Sequence, residues 1–463
     1  MPAPRPFAGL LGALLLLAAP ARAEPVLAGA LAIPGGATDL FPADAPGANS
    51  NRLGGFFSDL HFDRPTGAYY GLADRGPGGG TLSYDTRVQR FTLDVDPATG
   101  AIGGFVLART IVFTDADGRA LNALDPARLN GDPGVLGRSF DPEGFAVGRG
   151  GTFYVSDEYG PAVLEFDGDG RLLRRFATPA NLVPRERGGA VNLVAGPPTL
   201  AAGRQDNRGF EGLAITPDGS RLYAILQGPL VEEGDPNGRY ARHLRIVEYS
   251  TSTGQPGRQF LYALDPVASI NGAIPAPEHR FRADAQGRAI GVSSLTALNA
   301  EEFLVIERDT RGVGVEDPLG VAPVGSKRVY RIGLAGATDV SGLSLAGTNE
   351  PPPAGVVPVS KTLFLDVAVA LAVAGLAVPE KLEGLTIGPR LADGGYAVLI
   401  GSDNDFAVTQ GRAGGQADVC AGGGAASQVA LGAACPAGQA LLPTYLYSFK
   451  ASIPGYQPQA RDP

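Results

Sequence analysis

Four carboxylates bracket one short stretch of the chain, "DPEGFAVGRGGTFYVSDEYGP" (141–161). Asp141 and Glu143 lie before or at the start of one apolar run, and Asp157 and Glu158 follow the next. If the two runs are the strands of a β-hairpin, the start of the first and the end of the second lie at the same end of that hairpin. Carboxylates held this close repel one another and raise one another's pKa, so the arrangement calls for a cation, either a divalent metal ion or arginine.

The same pattern recurs along the chain as an acid or serine, an apolar run, a turn with Gly or Asp, a second apolar run and usually an acid. We read it five times, from Asp59 to Asp74, Glu143 to Asp157, Glu211 to Gln227, Ser294 to Glu307 and Glu383 to Asp403. Each gap between copies has room for a second hairpin, and a tandem unit of four antiparallel strands is typical of a propeller blade.

The sequence therefore predicts an all-β fold, a single β-propeller of five to six four-stranded blades with loop insertions, over residues 24–463. A sixth, divergent blade would lie within 255–290 or 340–380. Residues 444–452 and 25–33 are expected to pair and so close the ring.

In a propeller, the start of each innermost strand and the end of the next strand lie at one mouth of the ring. The acids that we expect near this mouth are Asp59, Asp74, Asp141, Glu143, Asp157, Glu158, Glu211, Glu307, Asp309, Glu383, Asp403 and Asp405. Such hard oxygen ligands suit Ca²⁺ or Mg²⁺, and with only three histidines in the chain a His-rich zinc site is not favoured.

Each group of candidate site residues has an expected role. The candidate metal ligands are Asp157, Glu158, Asp403 and Asp405, with Ca²⁺ as the expected cofactor. The candidate catalytic carboxylates are Glu143, Glu211 and Glu383. The candidate ligands of an anionic substrate group are Arg75, Arg308 and Arg311, because guanidinium binds such groups bidentately. A structural alternative stays open, in which each glutamate caps its own blade and arginine neutralises the excess charge.

The first 23 residues are typical of a secretory signal peptide, since Arg5 precedes an apolar run and Ala21-Arg22-Ala23 forms a cleavage site. The nearest later apolar stretch, 367–378, is predicted to be a buried helix, so no membrane span is expected after cleavage. The only two cysteines, Cys420 and Cys435, are expected to form a disulfide in an oxidising compartment. We expect a periplasmic or secreted monomer, and the net charge of −9 argues against nucleic-acid binding.

Three stretches carry a family resemblance: "DPEGFAV…TFYVSDEYGPAVLEFDGDGRLLRRFATP", "NRGFEGLAITPDGSRLYAI" and "KLEGLTIG…YAVLIGSDNDF". From about residue 50 to 450 the chain resembles the phytase-like family of secreted proteins, often described as having esterase-like activity of phytase. The resemblance implies a β-propeller and hydrolysis of phosphate or other esters, with calcium. It maps the Glu-Gly motifs onto Glu143, Glu211 and Glu383, and the strand-end acids onto Asp157, Glu158, Asp403 and Asp405.

The fourth copy departs from the pattern, with Ser293-Ser294 in place of Glu-Gly, and the third ends in Gln227-Gly228. Such gaps suit one localised site better than a full ring of acids. The predicted activity is cation-assisted hydrolysis of a small-molecule ester, with one free carboxylate as general base. Two alternatives remain: a propeller that binds a ligand or protein without chemistry, and a lactonase-like sugar-acid hydrolase whose metal ligands are Asn207, Asn404 and Glu211.

Overall fold

The computed structural model of the protein describes residues 1, 24–42, 51–125, 138–193, 200–349, 351–411 and 415–459. The predicted signal peptide lies outside the described residues, apart from Met1.

Five four-stranded antiparallel sheets make up most of the regular structure. The N-terminal strand β1 (Val26–Ile33) belongs to the last of them. The first blade contains β2 (Asp59–Asp63), β3 (Ala68–Leu72), β4 (Arg87–Val95) and β5 (Ile102–Val112). The second contains β6 (Pro142–Val147), β7 (Phe153–Asp157), β8 (Ala162–Phe166) and β9 (Leu172–Arg175). Next in the chain is a small two-stranded sheet of β10 (Arg185–Glu186) and β11 (Leu200–Ala202).

The remaining blades follow in chain order. The third contains β12 (Phe210–Ile215), β13 (Arg221–Leu226), β14 (His243–Ser250) and β15 (Pro256–Ala263). The fourth contains β16 (Ile290–Ala297), β17 (Glu302–Asp309), β18 (Lys327–Gly333) and β19 (Ser360–Asp366). The fifth contains β20 (Lys381–Arg390), β21 (Tyr396–Asp403), the C-terminal strand β26 (Thr444–Ala451) and β1. An insert between β21 and β26 forms a separate sheet of β22 (Val408–Gln410), β23 (Gln416–Gly422), β24 (Ala425–Ala430) and β25 (Ala440–Leu441).

The innermost strands form a closed ring, in which β2 packs against β6, β6 against β12, β12 against β16, β16 against β20 and β20 against β2. The pairing of β1 with β26, from Val26–Lys450 to Ile33–Thr444, joins the two ends of the chain in one blade. These contacts confirm the predicted propeller and its predicted closing strands. In the described parts of 255–290 and 340–380, the chain contributes strands to the third and fourth blades and short helices, and no sixth four-stranded sheet.

The glycine of the Glu-Gly motif is explained by how closely the innermost strands approach. A Cβ atom on Gly144 would lie 2.7 Å from the backbone nitrogen of Leu213 in the next blade. A Cβ atom on Gly212 would lie 2.5 Å from the backbone nitrogen of Leu295. Both distances are too short for a side chain, so the acid and the glycine of the motif have separate roles.

Helices are short and lie between strands: α1 (Val267–Gly272), α2 (Gln286–Ala289) and α3 (Val367–Val373), with 3₁₀ turns at Arg149–Gly151, Pro277–His279, Ala283–Ala285 and Asp405–Ala407. The prediction of a buried helix over 367–378 was wrong. Helix α3 ends at Val373, which is 85% exposed, and only Val367 and Leu371 are buried. It packs against β1 and β18 with one face, so its other apolar residues face outward. Among the described residues, no helix is long and apolar enough to cross a membrane.

The C-terminal segment after β26 covers one end of the central channel. The Gln457 N–H donates to the Leu298 carbonyl, and Gln459 Nε2 donates to the Val147 carbonyl, both at the ends of innermost strands. Arg64 Nε donates to the Tyr456 hydroxyl over 3.0 Å. A cavity of about 60 Å³ lies beneath this segment. The motif acids start the innermost strands, so they lie at the other end of the channel.

Candidate functional site

Each motif glutamate is placed at the mouth by a β-bulge. The register of the innermost hairpin shifts around Glu143, Glu211, Ser293 and Glu383 in the second to fifth blades. A bulge adds one residue to a strand and turns its side chain out of the regular alternation, which is common beside functional sites. The four equivalent positions therefore present their side chains at one end of the ring, as the strand pattern predicted.

Eight acids gather there, and all of them except the half-buried Asp405 are buried. They are Asp74, Asp141, Glu143, Glu158, Glu211, Glu383, Asp403 and Asp405. They form two groups of three and two further glutamates, and the groups differ in what neutralises them.

The first triad consists of Asp141, Glu143 and Glu158, which each have a carboxylate oxygen within 4.8 Å of the others. Arg75 Nη1 lies 3.2 Å from Asp141 Oδ2. Neither Asp141 oxygen has a hydrogen-bond donor among the described residues, and Glu158 Oε1 has none either. Glu211 Oε2 beside this group also lacks a donor within the described part of the chain. Buried carboxylate oxygens normally find donors, so this triad is short of positive charge.

Burial and mutual repulsion raise the pKa values of Glu143 and Asp141. Burial raises the pKa of Glu143 well above its ordinary value, and the charges of Glu211 and Asp141 raise it further. Burial also raises the pKa of Asp141, although Arg75 opposes the rise. Without a bound cation these groups therefore retain protons at higher pH than exposed acids do.

The second triad consists of Asp74, Asp403 and Asp405, again with one oxygen of each within 4.8 Å of the others. Lys381 Nζ lies 3.2 Å from Asp403 Oδ2 and 2.5 Å from Asp405 Oδ1. Asp74 Oδ1 accepts the Gly76 N–H over 2.9 Å. This triad already holds a cation supplied by the chain.

Glu383 is neutralised by Arg308, whose Nη2 donates to Glu383 Oε1. Arg308 Nε donates to Ser293 Oγ over 2.7 Å, so the serine that departs from the Glu-Gly pattern fixes the arginine. Ser294 Oγ donates to Asp59 Oδ1 over 3.1 Å inside the channel. The Ser-Ser pair therefore makes the mouth asymmetric.

Two predicted site residues are not members of either triad. Asp157 accepts the backbone N–H groups of Asp141, Tyr159 and Gly160, so its carboxylate stabilises the turn after β7. The Arg311 guanidinium lies 3.7 Å from the ring centre of Phe281 and donates to the Pro323 carbonyl. The predicted metal-binding role of Asp157 and the predicted substrate-binding role of Arg311 stay predictions, and neither has a contact with a triad that supports it.

Three acids expected near the mouth have structural contacts instead. Glu307 lies between the third and fourth blades, where it binds Lys361 Nζ at 2.6 Å and accepts the Tyr262 hydroxyl. Asp309 binds Lys327 Nζ at 2.8 Å. Asp59 lies inside the channel and accepts the N–H of Phe145 over 2.7 Å.

One of the two amides that the lactonase-like alternative needs, that of Asn404, is engaged elsewhere. Asn404 Oδ1 accepts the N–H groups of Gly55 and Phe406, and its Nδ2 donates to the Leu442 carbonyl. Sequence reasoning missed Lys381 as part of the site. The available signal was its position at the start of "KLEGL", in a chain with few lysines.

The insert after Asp405 contains the predicted disulfide between Cys420 and Cys435. Its sheet is attached to the propeller by Asp418, which forms a buried ion pair with Arg52 at 2.7 Å. Gln416 Nε2 donates to Thr81 Oγ1 over 2.8 Å, which links the insert to the Gly-rich loop that follows Arg75.

One curated relative resembles this chain in sequence, and several solved structures were matched to its fold. A curated relative, an uncharacterized secreted protein of Arthroderma benhamiae (strain ATCC MYA-4681 / CBS 112371), is 30% identical over 321 residues, which are 58% of this chain. The match spans 62% of that relative's length. Among solved structures, the Dos1 propeller has a TM-score of 0.27 and 9% identity, with 84% of this chain and 67% of that chain covered. Virginiamycin B lyase from Staphylococcus aureus has a TM-score of 0.28 and 9% identity, with 84% and 78% covered. Both TM-scores are below 0.5, so the fold assignment rests on the strand pairing.

The family model named Phytase-like, with the description "Esterase-like activity of phytase", matches residues 51–406. That range includes the three Glu-Gly motifs, the strand-end acids and both triads. The chain therefore belongs to the Phytase-like family.

Proposed function

We propose that the protein is a secreted hydrolase of small phosphate or other esters, and that it acts at the first triad with one divalent cation, for which Ca²⁺ is the candidate. The observation that carries the proposal is the set of buried carboxylate oxygens on Asp141, Glu158 and Glu211 that have no hydrogen-bond donor among the described residues. Three carboxylates converging within 4.8 Å are a geometry that a cation would satisfy.

The donor set fits the proposed ion. Asp141, Glu143 and Glu158 offer only oxygen atoms, which suits Ca²⁺, Mg²⁺ or Mn²⁺ better than zinc or copper. Carboxylates bind calcium through one or both oxygens, so the triad leaves room in the coordination shell for water and substrate. When bound, the cation would supply Lewis-acid polarisation of a phosphoryl or acyl oxygen.

Glu211 is the residue that we assign as general base. Gln227 Nε2 donates to its Oε1 and fixes the carboxylate, while its Oε2 has no donor in the described part of the chain. Burial raises the pKa of Glu211, and the charges of Glu158 and Glu383 raise it further. A carboxylate that is oriented through one oxygen and free at the other can accept a proton from an attacking water, and a raised pKa makes it a better base.

The basic side chains at the mouth are paired with acids, which favours a small substrate. Arg75 is paired with Asp141, Arg308 with Glu383, and Lys381 with Asp403 and Asp405. A substrate with many phosphates needs dense, available positive charge, which these paired groups do not offer. A single phosphate or carboxylic ester is compatible with one cation and one guanidinium.

Secretion agrees with three observations. The first 23 residues are typical of a signal peptide, Cys420 and Cys435 form a disulfide, and the Arthroderma benhamiae relative is named a secreted protein. Disulfides persist in oxidising compartments.

The first test is a thermal melt of the mature protein after removal of divalent ions with a chelator, followed by titration with Ca²⁺, Mg²⁺ and Mn²⁺. A cation that binds only the folded state raises the melting temperature, and we expect Ca²⁺ to give the largest rise. Phosphomonoesters, lactones and carboxylic esters are then screened for turnover with and without Ca²⁺.

Glu211→Gln separates binding from chemistry. We expect it to keep the Ca²⁺-induced rise in melting temperature and to lose turnover, whereas Glu278→Gln, at an exposed position, changes neither. Full activity of a folded Glu211→Gln protein would show that Glu211 is not the base. No rise with any cation would favour the non-catalytic alternative, a binding propeller, which a ligand would stabilise without giving a product.

A further inference from the structure

The two triads carry the same charges, three carboxylates and one paired base, but the base differs in type and position. Each contains three carboxylates within 4.8 Å and one nearby basic side chain. By charge alone, both triads could take a divalent cation. The position of the basic group decides which of them has room for one.

In the second triad the basic group bridges two of the three carboxylates, as a bound ion would. Lys381 Nζ contacts two of the three carboxylates, at 3.2 Å from Asp403 and 2.5 Å from Asp405. An ammonium is a compact point charge with three donors, so it binds several carboxylates at once as an ion does. The Lys381 side chain is 24% exposed and Asp403 is 1% exposed, which limits competition from water.

In the first triad the basic group forms an ion pair with one carboxylate only. Arg75 Nη1 is 3.2 Å from one carboxylate, that of Asp141, without the geometry of a hydrogen bond. Its Nε also has no acceptor among the described residues. Among the described residues neither Glu143 nor Glu158 forms an ion pair, so two of the three carboxylates lack the counter-charge that a divalent ion would supply.

We propose that Lys381 is the built-in cation of the second triad, so that the mouth takes one divalent ion, at the first triad, and that removal of the Lys381 ammonium converts the second triad into a second metal site. The inference rests on the proposed function, because it assumes that the first triad binds a cation. The second site would take a hard divalent cation such as Ca²⁺ or Mn²⁺ on the oxygens of Asp74, Asp403 and Asp405.

Electrostatics agree with this arrangement. Burial alone would lower the pKa of Lys381, but the carboxylates of Asp405 and Asp403 outweigh it and hold the pKa well above its usual value. The two carboxylates that contact the ammonium therefore also stabilise its charge.

The test counts bound ions by isothermal titration calorimetry with Ca²⁺ and by electron paramagnetic resonance with Mn²⁺ on chelator-stripped mature protein. We expect one ion in the wild type and two in Lys381→Met. The control is Lys450→Met, which removes a lysine paired with the exposed Asp393, and it should bind one ion. Lys381→Arg keeps the charge and should also bind one. Two ions in the wild type, or one in a folded Lys381→Met protein, would overturn the inference.

A second variant covers the case in which Lys381→Met does not fold. Glu143→Gln/Glu158→Gln disables the first triad and leaves Lys381 in place, so we expect it to bind no ion. One bound ion in this variant would mean that Lys381 does not occupy the second triad. If the wild type itself binds no ion, the proposed function fails together with the single-ion part of the inference. Lys381→Met then still tests the role of Lys381 in the second triad, because one bound ion supports that role and none refutes it.

Discussion

The buried ion pair between Arg308 and Glu383 allows a prediction of how much folding free energy is lost when one partner is removed, because burial sets the size of that loss. The two side chains are 8% and 6% exposed, and the pair joins the fourth blade to the fifth. Removing one partner of a buried pair leaves the other charge without compensation and costs about 3–5 kcal/mol. We expect Arg308→Met at the upper end of that range, because Glu383 would then lie among other acids without its counter-charge.

Glu383→Gln should cost less, about 3 kcal/mol, because the amide oxygen still accepts a hydrogen bond from Arg308. The double variant Arg308→Met/Glu383→Gln removes both charges and should return to within about 1 kcal/mol of the wild type. The difference between the double variant and the sum of the single variants gives the coupling free energy of the pair. Urea denaturation at pH 7 with a chelator present measures all four proteins.

The control is the exposed pair of Arg109 and Asp169, whose side chains are 49% and 79% exposed. The same cycle there should give a coupling of about 0–1 kcal/mol. A coupling at Arg308–Glu383 as small as that of the control would refute the claim that this pair neutralises one side of the mouth. In the ester assay we expect the double variant to remain inactive although its stability is restored, because Arg308 is a candidate ligand of the substrate.

Three further predictions concern other parts of the molecule. Burial raises the pKa of Asp157 from 3.8 to about 6, so its protonated form stabilises the metal-free fold at pH 4.5, and that contribution is lost as the pH rises through about 6. Asp157→Asn should therefore shrink the stability difference between pH 4.5 and 7 by about 2 kcal/mol in urea denaturation. Asp59→Ala leaves the buried N–H of Phe145 without its acceptor and should cost about 1–3 kcal/mol by the same method, and no loss would mean that water replaces the carboxylate. Arg64→Ala removes the hydrogen bond and the ring contact with Tyr456, so the segment after β26 should be cleaved faster in limited proteolysis while the propeller stays intact, and unchanged cleavage would show that other contacts hold the segment.

The fold was predictable because its information is local and repeated. Each innermost hairpin consists of two apolar runs joined by a turn, and five copies along one chain favour a ring over an open sheet. The closing pair of β1 and β26 was predictable for the same reason, since a ring needs a strand from each end. The exposure of helix α3 was not predictable, because an apolar run in a sequence does not show which face of the helix another element will cover.

The gathering of acids at one mouth was predictable from their positions at strand starts and ends, but their partners were not. Glu307 and Asp403 occupy comparable places in the sequence pattern, yet Glu307 binds Lys361 between blades and Asp403 binds Lys381 at the mouth. The partner depends on which side chain the surrounding strands bring within reach. That depends on bulges and loop paths that a single sequence does not specify.

The Ser293-Ser294 pair links the architecture to the chemistry. A glutamate at position 293 would add a further acid to the mouth, whereas the serine binds Arg308 and directs it to Glu383 of the next blade. With Lys381 on Asp403 and Asp405, the fourth and fifth blades neutralise their own acids. Among the described residues neither Glu143 nor Glu211 forms an ion pair, and Arg75 pairs with only one member of the first triad, so the acids without a paired base lie on one side of the ring. A propeller with equivalent blades would distribute its acids evenly around the axis. The departure of the fourth blade from the Glu-Gly pattern leaves the acids without a paired base on one side of the mouth, where we propose that a single cation binds.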